Sequence, residues 1–333
     1  MSSYMNSTKT SSDLLEYVYD PVRNRLQSSV EMLSELVSQQ PGILSELLDH
    51  VLDAPGKLIR PTVVLLASNF HSNDDCDVET LAAAVELLHM ATLIHDDTVD
   101  SSEVRRGKAT VSSLWGPKRA VLLGDYVFAT SAKFVCDTEN VRVIRRFAET
   151  AMELSSGELR EIESAYSKDL TRNQYLDRIY RKTASLFTTA AESGAMVVGS
   201  PEHVIKALRD YGYNLGMAFQ IVDDVLDFDG KQEEVGKPVG NDLTQGILTM
   251  PAILALEQYP VNNPISALCE DPSDEKKLKT ALEMIHNHSF IQDSIEIARE
   301  YSSKALDSIR NIELNRSRQS LEVLAEYVVD RRF

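Results

Sequence analysis

Glycine and proline are scarce in this 333-residue chain, numbering 14 and 11. No stretch carries the close-set turn signals that punctuate an all-β protein, which excludes a sandwich or barrel. Cysteine is scarcer still: Cys76, Cys136 and Cys269 are odd in number and far apart. They form neither a disulfide framework nor a metal cluster, so a reducing compartment is the default. Aromatic residues make up only 7% of the chain, leaving Leu, Val, Ile and Ala to build the core. Positive charge is also in deficit, with 34 basic against 51 acidic side chains and a formal net charge of -17. Such a chain repels nucleic acid, and no nucleic-acid partner is expected. The opening MSSYMNSTKTSSDLL lacks an apolar signal core, and no apolar run reaches membrane-spanning length. A soluble, cytoplasmic protein with no integral membrane segment is therefore expected.

What the chain does have is 43% hydrophobic residues, recurring every three or four positions, which favours helices and an all-α fold. Residues 1–12 are polar and Ser/Thr-rich and are expected to form a disordered tail. From Asp13 the helical pattern continues nearly to Phe333, broken by short turn signals such as Pro41-Gly42, Gly116-Pro117 and Ser200-Pro201. No linker separates these segments, so residues 13–333 read as a single all-α domain. One long helix can be placed by its ends: Ser200 as N-cap, Pro201 at the first helical position and Gly230 as the stop. Along it, Gly216, Gln220, Asp223 and Asp227 share one face beside an apolar stripe from Val204 to Leu226.

Two aspartate-rich segments stand out, Asp96-Asp97-Thr98-Val99-Asp100 and Asp223-Asp224-Val225-Leu226-Asp227. In each, the first and fifth residues lie one helical turn apart on one face, with the second alongside. Hard oxygen ligands so arranged suit Mg²⁺, which binds through one or two carboxylates together with substrate phosphate oxygens. A lone acidic triplet is usually a solvated face. Both of these, however, end strongly apolar runs, Val85 to Ile94 and Met217 to Val222. Two unit charges 4 Å apart repel by about 4 kcal/mol at an effective dielectric near 20, so converging carboxylates require cations. His89 falls within about 20° of the line through Asp96 and Asp100 on the same helix, a placement suited to substrate phosphate. Basic pairs stand close by, Lys57 with Arg60 before this helix and Arg105 with Arg106 after it. Arginine offers forked donors that match phosphate.

These motifs, together with RKTASLF, LLGDYVFA and GMAFQIVDDVLDFDG followed by GKPVGNDLTQGILTMP, resemble those of the trans-type polyprenyl diphosphate synthases. The resemblance runs from about Gly56 to Pro251. It implies an isoprenoid synthase helical bundle around a deep central cavity, usually a homodimer. It assigns Asp96, Asp97, Asp100, Asp223, Asp224 and Asp227 to a cluster of three Mg²⁺ ions on an allylic prenyl diphosphate. Lys57, Arg60, His89 and Arg106 match the family's isopentenyl diphosphate site. Arg105, Lys182, Thr183, Gln220 and Lys237 match positions around the allylic diphosphate. Arg331-Arg332 could help to cover the site. Among these, Asp96, Asp97, Asp100, Arg105, Lys182, Asp223, Asp224 and Lys237 are expected to be catalytic. The implied reaction is head-to-tail condensation of the two diphosphates with release of pyrophosphate. The chain departs from the short-chain pattern at Ile247, where many members carry Lys after Gly246.

Product length is expected to follow from Thr92 and Ala91. Thr92 sits one turn before Asp96, beneath the diphosphate; in the family that the chain resembles, bulky aromatics here stop the tail early, so small Thr92 and Ala91 imply a product of about C30 to C50. The role of Ala91 comes from the resemblance alone. A farnesyl or geranylgeranyl product and a non-catalytic subunit of a heteromeric synthase are the alternatives. A class I terpene cyclase fits less well, because its second metal motif usually mixes Asn, Ser or Thr with Glu.

Overall fold

Helix signals in the sequence are realised as capped helices. In the computed structural model, which describes residues 10–53, 56–72, 77–229 and 240–330, α1 (Ser11–Tyr19) opens on a capping box between Thr10 and Asp13. It starts inside the stretch expected to be a tail; residues 1–9 of that stretch lie outside the described residues. Then follow α2 (Arg23–Ser38), α3 (Ile43–Leu52), α4 (Ile59–Ser68) and α5 (Val78–Val99), the last capped by Asp77 accepting from the Thr80 amide. A two-strand hairpin, β1 (Val104–Arg105) and β2 (Lys108–Ala109), pairs Val104 with Ala109 and Arg105 with Lys108. Its two-residue turn places Arg106 at φ 50° and Gly107 at φ 76°, the left-handed pair that matches strand twist. Helices α6 (Val111–Trp115), α7 (Pro117–Asp137), α8 (Val141–Ser164), α9 (Arg172–Ile179), α10 (Ser185–Val197) and α11 (Glu202–Asp229) follow. A π-helical turn, Tyr180–Ala184, joins α9 to α10. The chain continues through α12 (Asn241–Thr244), α13 (Met250–Gln258), α14 (Pro264–Glu270), α15 (Glu275–Asn287), α16 (Phe290–Ile309) and α17 (Arg316–Asp330).

Two compact units are present, one of residues 1–151, 186–212 and 309–324, the other of 152–185, 213–308 and 325–333. Each boundary falls inside a helix, so no linker divides the sequence. The core of the first unit is built where Ala83, Leu87, Ala91 and Ile94 of α5 meet Ala120, Leu123 and Val127 of α7. Gly124 lets these two helices close, since a Cβ there would lie 2.2 Å from His95 Nε2. The 22-residue α5 is apolar and long enough to cross a membrane, against the expectation that no such run exists, but 67% of its apolar window is buried inside the fold. The core of the second unit gathers Tyr175, Ile179, Met217, Ile221, Phe228, Leu248 and Phe290.

Helix α11 spans 28 residues and buries Val204, Leu208, Tyr211, Leu215 and Val222, the stripe anticipated from its periodicity. It opens one residue later than its sequence suggests. The Pro201 carbonyl accepts from the Val204 and Ile205 amides, while buried Ser200 Oγ makes no hydrogen bond among the described residues. Cys136 and Cys269 are free thiols; Cys76 lies outside the described residues.

Candidate active site

In the first unit the chemistry gathers at the C-terminal end of α5, where helix carbonyls and carboxylates together make a strongly negative terminus. Asp97 is buried at 7% exposure, Asp96 is half-buried, and Asp100 is the exposed C-cap residue. Arg105 Nε donates to Asp97 Oδ1 at 2.6 Å. Helix spacing put Asp96 and Asp100 on one face with Asp97 alongside, and the family resemblance placed Arg105 by the allylic diphosphate; in the structure the hairpin brings Arg105 onto Asp97. Both residues line a cavity of about 120 Å³ with Glu86, His89, Arg106 and the backbone of Gly56.

The Arg106 guanidinium lies directly on Gly56: a Cβ on Gly56 would stand 2.6 Å from Arg106 Nη1. Burial, followed by Arg60, Arg106 and Arg105, holds the His89 imidazole well below its usual value, so the ring is neutral at pH 7. Neutral imidazole both donates and accepts, and it adds no charge to the basic cluster. Glu86 is buried, and burial raises its carboxyl above the usual range even though Arg60 and Arg106 pull it down. Arg60 enters α4 after Leu58, which takes the left-handed φ of 50°. Its guanidinium lies 4.5 Å from the centre of the Phe187 ring. Lys57 is exposed, and its carbonyl accepts from the Tyr19 hydroxyl. The same cavity is also lined by apolar side chains, Leu33, Met90, Leu93 and Ile94 among them. Neither Ala91 nor Thr92 lines it. Ala91 is packed into the first-unit core, and the Thr92 hydroxyl donates to the His89 carbonyl at 2.7 Å.

In the second unit the motif on α11 divides by environment. Asp223 is half-exposed. Asp224 is 4% exposed and fully engaged: Tyr175 Oη donates to Oδ2 at 2.6 Å and Gln220 Nε2 to Oδ1 at 2.7 Å. Burial pushes its carboxyl up to about 7, against the lowering effect of those two hydrogen bonds and of Arg178. Thr183 Oγ1 donates to Gln220 Oε1 at 2.6 Å, so Thr183, Gln220 and Asp224 form one chain of hydrogen bonds. Gln220 thus serves Asp224, although sequence spacing had put it on the face of Asp223 and Asp227. The Asp227 carboxylate accepts from the Asn241 and Asp242 amides at 3.2 and 3.1 Å.

The π-helical turn presents Lys182 to Glu158 at 2.9 Å and to Glu161. Burial opposes its charge, but the two glutamates outweigh burial and hold its proton affinity above the usual lysine value. Gly157 permits this approach, because a Cβ there would come within 2.7 Å of the Lys182 amide nitrogen. A cavity of about 130 Å³ is lined by Lys182, Gln220, Asp224, Glu161, Arg178 and Asp242, among others. Lys237 and Arg331-Arg332 lie outside the described residues.

Among the described residues, no three His, Cys, Asp or Glu side chains converge on a point suited to a metal ion. The donor chemistry still fits Mg²⁺, which takes one or two carboxylates and completes its shell with water and substrate phosphate oxygens. Asp100 is exposed, Asp96, Asp223 and Asp227 are half-buried, and Asp97 and Asp224 are buried. Asp97, Asp224 and Asp227 already accept from protein donors. Sequence spacing did not reveal Gly56, Glu86, Glu158, Tyr175 or Arg178 as site residues. The one signal it held was the KTASLF segment, whose Lys182 and Thr183 needed partners that only folding supplies.

The sequence matches the polyprenyl synthetase family over residues 41–285. It is 37% identical to a heptaprenyl diphosphate synthase component 2 of Geobacillus stearothermophilus, covering 94% of this chain and 98% of that protein. It is 34% identical to the chloroplastic solanesyl-diphosphate synthase 2 of Oryza sativa subsp. japonica, over 96% of this chain and 79% of the relative. The crystal structure of a polyprenyl synthase from Caulobacter crescentus CB15, complexed with calcium and isoprenyl diphosphate, superposes with a TM-score of 0.89. That protein is 32% identical, with 96% of this chain and 98% of that one covered.

Proposed function

The chain belongs to the polyprenyl synthetase family, and we propose that within it the protein is a Mg²⁺-dependent trans-prenyltransferase making a long all-trans polyprenyl diphosphate from isopentenyl diphosphate and an allylic prenyl diphosphate. One observation carries this reading. Asp97, Arg105, Arg106 and neutral His89 line one cavity together with the apolar Leu33, Met90, Leu93 and Ile94. A diphosphate needs the cationic side chains and an isoprenoid chain the apolar ones.

When bound, Mg²⁺ supplies Lewis-acid stabilisation of the departing diphosphate. Asp96, Asp100 and Asp223 are the residues that would hold it. Lys182, positively charged in its glutamate clamp, neutralises leaving-group charge, and Thr183 and Gln220 orient its neighbourhood. Arg60, Arg106 and Lys57 bind the isopentenyl diphosphate, leaving its double bond to attack the allylic cation. Apolar side chains exclude water from that cation. The proton lost from the new chain goes to the released pyrophosphate.

The long product, about C30 to C50 with small residues at Ala91 and Thr92 one turn before Asp96, is supported by heptaprenyl and solanesyl synthases among the relatives. A second reading has a specific observation behind it. The Geobacillus relative is a component 2, which supports assembly with a different subunit. The first reading further proposes that residues 13–333 work as one domain in a cytoplasmic homodimer. The exposed apolar side chains Val121, Leu122 and Phe128 on α7 support that pairing. Purified chain, assayed alone with Mg²⁺ and both substrates, separates the two. Prenyl transfer that Asp96→Ala or Asp223→Ala lowers by about 10²-fold or more supports the enzyme. Activity that arises only with an added second polypeptide supports the subunit.

A further inference from the structure

Helix α11 ends at Asp229, and the described chain resumes at Gly240. Asp227 reaches the chain beyond. Its Oδ1 accepts from the Asn241 amide at 3.2 Å and its Oδ2 from the Asp242 amide at 3.1 Å, while its carbonyl takes the Gly240 amide at 2.8 Å. Asn241 and Asp242 are the first two residues of α12, whose leading amides have no partner within the helix. The N-cap position is Gly240, which has no side chain to offer them. It cannot readily be replaced by Ser or Asp, because its φ is 73° and a Cβ would stand 2.6 Å from Leu282 Cδ2. Asp227 therefore supplies, from 14 residues upstream, the acceptor that an N-cap side chain normally provides.

The capped segment is a folded piece. The Ile247 amide donates to the Asp242 carbonyl at 2.8 Å, and the Tyr166 amide to the Gly246 carbonyl at 2.8 Å. Near its two ends, Asp242 and Thr249 line the cavity that also contains Lys182, Gln220 and Asp224. Thr249 is 2% exposed, and its hydroxyl has no partner among the described residues. The position of this segment thus sets one wall of the space around Lys182.

We propose that Asp227 is a positioning residue: its carboxylate latches residues 240–249 beside Lys182 and Gln220, and is not spent on a metal ion. The proposal rests on the reading of the second motif given above. Two backbone N–H groups aimed at one carboxylate favour the anion there and take up one lone pair on each of its oxygens. The second motif then divides its labour, with Asp223 for metal, Asp224 for the Tyr175–Gln220 network and Asp227 for the latch.

Hydrogen–deuterium exchange on the full chain, without metal or substrate, tests the latch directly. Asp227→Ala should speed exchange in the 240–249 peptide about tenfold, while Asp227→Asn, whose single amide oxygen can accept from one of the two backbone amides, should speed it less, by about threefold. In the prenyl-transfer assay, Asp227→Asn should leave the Mg²⁺ half-saturation within about twofold, while Asp223→Asn raises it about tenfold or more. Unchanged exchange in Asp227→Ala would overturn the proposal. So would a Mg²⁺ shift in Asp227→Asn as large as that in Asp223→Asn. The exchange arm needs no enzymatic activity, so failure of the prenyl-transfer reading would be seen separately.

Discussion

Replacing Gly56 with Ala should damage substrate binding while leaving the fold intact. The added Cβ would stand 2.6 Å from Arg106 Nη1, 2.9 Å from Nη2 and 3.0 Å from Cζ. Ordinary contact begins near 3.4 Å, so the guanidinium must retreat by about 0.8 Å. What moves is the end of a flexible side chain, which costs the fold little. Gly56 is not among the glycines with positive φ, so Ala is tolerated there and can stabilise by about 0.4–1 kcal/mol through the unfolded chain. Binding is less forgiving. A charge-assisted hydrogen bond contributes about 1.5–3 kcal/mol, and a misplacement near 1 Å can cost about 10²-fold. The KM for isopentenyl diphosphate should therefore rise about 10- to 100-fold, with the KM for the allylic substrate and the melting temperature nearly unchanged. Steady-state kinetics with each substrate varied in turn, alongside a thermal melt, make the comparison. An unchanged isopentenyl diphosphate KM would refute the contact, and equal rises in both KM values would refute its assignment to one substrate.

Gly157→Ala should behave oppositely, because its Cβ would meet the Lys182 backbone nitrogen at 2.7 Å and backbone cannot step aside. A loss of about 1–3 kcal/mol is expected, read as a lower melting temperature; a melt matching the natural chain would contradict the close packing of α8 on the π-helical turn. Glu86→Gln should flatten the dependence of stability on pH. Burial raises the Glu86 carboxyl in the folded state, so its contribution is complete below the unfolded value and is lost as pH rises through the folded one. The melting temperature of the natural chain should fall more than that of the variant as pH rises from about 4.5 to 8; parallel curves would exclude Glu86 as a source of the slope. Thr92→Phe should shorten the product if the tail descends past that residue, and an unchanged product mass would remove Thr92 from the path.

Local spacing made the helices legible. The period of α11, the apolar run that ends at Asp96 and the basic residues flanking both motifs are all properties of neighbouring residues. Even the one-residue error at Ser200 and Pro201 is of that kind, since either residue can carry the first turn. The site's pairings were not legible, because they join positions far apart in sequence. Lys182 meets Glu158 and Glu161 only once the π-helical turn is laid against Gly157. Arg106 settles on Gly56 only when the hairpin folds back. Each aspartate motif read as three equivalent ligands, because spacing reports which face a residue occupies. It does not report whether Arg105, Tyr175 or an amide at residue 241 has already taken the oxygen.

The central claim is that this chain lengthens an isoprenoid diphosphate. Its most direct test is the mass spectrum of products formed by the purified chain from an allylic diphosphate, isopentenyl diphosphate and Mg²⁺. Products rising by isoprene units to a dominant species of about C30 to C50, the length proposed from the small residues Ala91 and Thr92 one turn before Asp96, are predicted. A dominant farnesyl or geranylgeranyl product would contradict the proposed length. Recovery of both substrates unjoined would contradict the claim itself.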